Sequence, residues 1–122
     1  MREIKFRAYC DIGEESKMLY FTEGKYDNGL WFEHTSNHID EYLSPLMQFT
    51  GLKDKNGKEI YEGDILKINL YDDYEWKTKV RFEYSAFCID VEGQEFNVTT
   101  LGFLDDEAIV EIIGNIYENP NL

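Results

Sequence analysis

Met47-Gln48-Phe49-Thr50-Gly51-Leu52-Lys53-Asp54-Lys55-Asn56-Gly57-Lys58-Glu59-Ile60-Tyr61-Glu62-Gly63-Asp64-Ile65 holds most of the chain's punctuation. Asn56-Gly57, flanked by charged residues, is a tight-turn signal with an exposed tip. Gly51 and Gly63 permit backbone angles or close approaches that a Cβ forbids, and Asp64 can accept hydrogen bonds from nearby amides before a strand begins. The stretch therefore reads as a turn delivering the chain into a strand over 64–70, whose inward face starts at Ile65 or Leu66. On the N-terminal side, Pro45 halts any helix, so 38–49 reads as a short turn or linker.

Period-two alternation recurs in both directions. Ile4, Phe6 and Ala8 alternate with Glu3, Lys5 and Arg7 as a half-buried first strand, and 18–22 and 30–34 read as the next two, joined by a turn at Asp27-Asn28-Gly29. Downstream, 76–83 reads as a strand with Val80 and Phe82 on one side. Phe87, Ile89 and Val91 then fall in the opposite phase, so a hairpin near Tyr84-Ser85-Ala86 resets the inward face. Residues 96–99 and the apolar run 108–117 complete the set. Short strands at this spacing predict a mainly β chain, with N-terminal strands over 1–45 and a small barrel or sandwich over 46–122.

The 122 residues carry 25 acidic and 12 basic side chains, a formal charge of −13. All 12 basic residues and 16 carboxylates lie within 1–81, whereas 82–122 hold nine carboxylates and no basic residue. Such a surface repels phosphate, so bulk nucleic-acid and anionic-membrane binding are disfavoured. The N-terminus runs straight into an alternating pattern rather than a secretory apolar segment, so a cytosolic location is expected. Cys10 and Cys88 have no metal-site or redox spacing and read as reduced, small core or half-buried residues.

Three stretches together resemble a known family. They are Glu3-Ile4-Lys5-Phe6-Arg7-Ala8, the central motif above, and Ile113-Gly114-Asn115-Ile116-Tyr117-Glu118-Asn119-Pro120. They are similar to the YopX family of small bacteriophage and prophage proteins, although Tyr9-Cys10 stands where a tryptophan is frequent. The resemblance implies a phage-encoded protein in the cytoplasm of a bacterial host, its C-terminal part an SH3-like β-barrel. It implies neither an activity nor a catalytic residue.

The chemical constellations are weak. His34 and His38 lack a helical context and would need a third ligand from Asp40, Glu41 or elsewhere, Asp54 onward departs from a calcium loop in both glycine and glutamate positions, and no cofactor is expected. Glu59, Glu62 and Asp64 could converge for metal-dependent hydrolysis. A nucleic-acid reading would use Arg2, Lys5, Arg7, Lys77, Lys79 and Arg81 as a basic face, or the acidic third as a DNA mimic. The leading expectation is a non-enzymatic interaction module for a host or phage protein. Its candidate surface is Tyr71, Tyr74 and Trp76 with Asp105, Asp106 and Glu107, suited to a peptide carrying Lys or Arg. The alternative is that the aromatics shield the barrel's mouth. An exposed edge strand would also allow pairing between subunits.

Overall fold

The computed structural model describes residues 4–11, 13, 16–22, 25–26, 43–70, 74–83, 85–90, 98–104 and 107–122. The chain is mainly β, as its alternation predicts. It divides into two compact units, Met1–Phe49 and Thr50–Leu122.

In the first unit β1 (Lys5–Cys10) lies between β2 (Lys17–Thr22) and the start of β4 (Met47–Lys53), and β3 (Lys25–Tyr26) pairs with β2. All of these pairings are antiparallel. Ala8 and Phe21 are buried, with Phe6, Leu19 and Leu43 packed against them. Two expectations change here. The stretch 38–49 is not all linker, because β4 begins at Met47, two residues after Pro45, where Gln48 pairs with Phe6 and the side chains of Met47 and Phe49 are buried. Ile4 is exposed and Arg7 buried, since β1 is a central strand flanked at Arg7 by Tyr20 and Met47. The expected strand at 30–34, the turn at Asp27–Gly29, Arg2, and both histidines lie outside the described residues.

The second unit starts with the rest of β4 and β5 (Glu59–Tyr61), then β6 (Asp64–Leu70), β7 (Tyr74–Lys79), β8 (Arg81–Glu83), β9 (Ala86–Asp90), β10 (Val98–Thr100) and β11 (Ile109–Asn115). One antiparallel sheet has the order β11-β6-β7 and another β10-β9-β8. Leu66 and Ile68 from β6, Trp76 from β7, Ile89 from β9 and Leu101 from a 3-10 turn share one core with Ile60 and Val80. The expected continuous strand over 76–83 is broken at the buried Val80, which lies between β7 and β8 with its backbone bonded to Gly63 and Asp64. Phe82 therefore does not join Val80 inside: it is exposed and sits edge-on to Phe87 across the β8–β9 hairpin, which turns at Ser85 with φ +62°.

The C-terminal motif closes on itself. Asn115 Oδ1 accepts the N–H groups of Tyr117 and Glu118 at 3.0 and 2.9 Å, while Asn119 Oδ1 accepts the Asn115 N–H at 3.2 Å. A Cβ on Gly114 would stand 2.6 Å from both Asn119 Oδ1 and Leu122 Cδ1. Gly114→Ala should therefore displace the turn and cost about 1–2 kcal/mol in urea unfolding, as overpacking does. Gly57→Ala meets nothing within 4 Å but must hold φ +81°, which should cost about 1 kcal/mol through backbone strain alone.

Candidate functional site

The central motif is committed to architecture. Asp54 Oδ1 accepts the N–H groups of Asn56 and Lys58, both at 2.9 Å, and Oδ2 accepts that of Ile112 on β11 at 3.0 Å. Burial alone would raise this carboxyl's pKa. The amides of Ile112, Lys58 and Asn56, with the Lys58 charge, outweigh burial and hold the carboxyl below its ordinary value of 3.8. Thr50 Oγ1 donates to Ile60 C=O at 2.8 Å and accepts the Leu52 N–H at 3.2 Å, tying β4 to β5. Asp64, only 2% exposed, accepts the Tyr61 N–H at 2.8 Å. It is thus a structural carboxylate, and Glu59, Glu62 and Asp64 do not form a metal-holding group among the described residues.

The candidate interaction residues fare differently from one another. Tyr74 is 58% exposed and Glu107 is exposed. Trp76 is 8% exposed and belongs to the core, its indole N–H donating to the Asp90 carbonyl at 2.9 Å. The ring is unavailable to grip a peptide because positions 76 and 78 of β7 face the core: Thr78 is also buried and its Oγ1 accepts the Asp90 N–H at 2.9 Å. Tyr71, Asp105 and Asp106 lie outside the described residues. Of the expected basic face, Arg7 is buried, and Arg81 is engaged by Asp90 at 2.9 Å and Glu83 at 3.1 Å.

What the structure does bring together is the outer face of β11-β6-β7. The register sets Lys67 opposite both Lys77 and Glu111, and Asn69 opposite both Glu75 and Ile109. Lys67 Nζ lies 3.4 Å from Glu111 and 3.9 Å from Glu75, and Lys55 on the central turn reaches Glu111 at 3.6 Å. With Asn69 and Ile109 these residues line an open depression of about 140 Å³. Lys77 and Lys79 stand exposed on the neighbouring strand β7. Among the described residues, four lysines against two glutamates thus make a basic-leaning face on a strongly acidic chain. All four lysines are visible in the sequence, but only the pairing of β6 with β7 and β11 gathers them. Because the ion pairs are exposed, Lys67→Ala should change stability by less than about 1 kcal/mol, read by urea unfolding.

Comparison with known proteins bears on this arrangement. The family model described as YopX protein matches residues 5–122. The SPbeta prophage-derived uncharacterized protein YopX of Bacillus subtilis (strain 168) is 37% identical over 70 residues, 54% of this chain and 51% of that protein. The chain's match thus spans about half the length of this curated relative. The crystal structure of YopX from Bacillus subtilis aligns with a TM-score of 0.59 at 22% identity, over 97% of this chain and 96% of that one. A crystal structure from Enterococcus faecalis aligns with a TM-score of 0.55 at 24% identity, over 99% and 98%. At such identities these two structures speak for the fold alone. Among the described residues no helix is long and apolar enough to cross a membrane. With the motifs assigned to turns and the family model covering nearly the whole sequence, this chain belongs to the YopX family of prophage-related proteins.

Proposed function

We propose that the protein is a non-enzymatic interaction module, built on a small SH3-like barrel, that binds a host or phage protein in the bacterial cytoplasm. The observation that carries this reading is the outer face of β11-β6-β7, where the side chains of Lys55, Lys67, Glu75, Glu111 and Ile109 surround one depression. A sheet face with fixed charges of both signs and one exposed aliphatic residue suits a protein surface, because charge complementarity sets register and partner choice while the apolar contact excludes water. The motif residues support the reading indirectly, since their polar groups hold turns that position this face.

Affinity capture of the full chain from nuclease-treated lysate of a phage-permissive host tests the proposal. A single protein retained in stoichiometric amount, and released as salt rises, is the expected result, because exposed charge pairs are screened within about 10 Å at 0.1 M salt. Retention only of proteins that vanish with nuclease would replace this reading by a nucleic-acid one, which Lys67, Lys77 and Lys79 would serve. The formal charge of −13 opposes that outcome.

A further inference from the structure

The two edges of the sheet β11-β6-β7 are treated differently. On β11, the Val110 carbonyl accepts the Lys55 N–H at 2.8 Å and the Ile112 N–H is held by the Asp54 carboxylate, so the central turn caps that edge. On β7, the Val80 N–H donates to the Asp64 carbonyl at 3.0 Å, which makes Val80 and Asp64 a bonded pair in the register that joins Thr78 to Leu66 and Trp76 to Ile68. Bonded and non-bonded positions alternate along an antiparallel ladder. The backbone groups of Tyr74, Trp76 and Thr78 therefore point to β6, and those of Glu75, Lys77 and Lys79 point away from it. Among the described residues nothing caps them as the turn caps β11.

An open edge is a template for another strand, and edge lysines normally repel one. Here the repulsion is selective. Glu75, Lys77 and Lys79 occupy one exposed row, and the row is self-complementary about Trp76. Two copies of β7 laid antiparallel with Trp76 opposite Trp76 set each Glu75 against the other copy's Lys77. Both residues have outward backbone groups, so each such pair exchanges two N–H···O=C bonds. Sliding the copies so that Lys77 faces Lys77 sets each Glu75 against Lys79 but opposes like charges at the two-fold axis, and sliding further sets Lys77 against Lys79 twice, so the register centred on Trp76 is the one with no like-charge pair among these three residues.

We propose that the edge of β7 facing away from β6 pairs with β7 of a second copy of this chain, in the single antiparallel register centred on Trp76, to form a two-fold dimer with a continuous six-stranded sheet. The interface is isologous, so two identical Glu75–Lys77 contacts form at once and close the assembly. This association goes beyond the partner-binding reading above and does not depend on it.

Sedimentation velocity of the full chain over about 5–500 μM tests the proposal, with circular dichroism confirming that each variant folds. The wild type should pass from monomer to dimer across this range. Lys77→Glu and Glu75→Lys, each of which sets like charges opposite one another, should each weaken the dimer at least tenfold. Combining them, Glu75→Lys with Lys77→Glu, restores opposite charges in the same register and should bring the constant back to within about threefold of wild type. A chain that stays monomeric throughout, a dimer indifferent to both single variants, or a double variant without recovery would each overturn the proposal.

Discussion

Asp54→Ala will lower the unfolding free energy by about 3 kcal/mol, because the substitution strands amide donors in a site that is 7% exposed. The carboxylate accepts from Asn56, Lys58 and Ile112, so its loss loosens the tight turn and uncaps the β11 edge together. Losses of this size are a large share of the roughly 5–15 kcal/mol that holds a domain folded. Asp54→Asn, which keeps one oxygen acceptor but removes the charge, should fall between alanine and wild type.

The same residue sets a pH dependence whose sign follows from its depressed pKa. The unfolded chain holds the Asp54 proton more tightly than the folded chain, so folding is favoured where the group is ionised. Its contribution is complete above the ordinary value of 3.8 and is lost as pH falls through the lower folded value. Urea unfolding at a series of pH values should show the wild type and Asp54→Ala converging only below that window. A gap that closed instead between pH 5 and 7 would contradict the hydrogen-bond assignment.

The second large effect separates core from surface. Trp76→Ala should cost about 3–5 kcal/mol, since it empties a packed site shared with Ile68 and Ile89 and frees the Asp90 carbonyl. Tyr74→Ala, two residues away, should lie within about 0.5 kcal/mol of wild type in the monomer because its ring is largely in water. Thermal unfolding at low protein concentration measures both. Equal effects would mean that the two aromatics share one environment.

These residues also mark what was legible in the sequence. Asn56-Gly57 announced its turn because few residues other than glycine accept φ +81° without strain, and β6 was readable from the alternation that follows Asp64. Local pattern did not reveal Arg7, since alternation placed it on the wet side and only the pairing of β1 with two neighbours buries it. Trp76 misled for a related reason: its acidic and aromatic neighbours suggest a loop, whereas the register of Ile68 with Trp76 turns the indole inward. The outer face was the least legible feature. Lys55, Lys67, Lys77 and Glu111 are scattered over more than fifty positions, and their meeting depends on strand order, which alternation does not encode.

Capture of a binding protein by the wild type and by Lys67→Ala, side by side after nuclease treatment, tests the central claim most directly. Lys67 sits at the middle of the face, bridging Glu75 and Glu111, and contributes little to folding. The variant should keep its melting temperature within a few degrees and lose the protein that the wild type retains. Retention of the same protein in the same amount by both chains would contradict it, and would place the contact surface elsewhere.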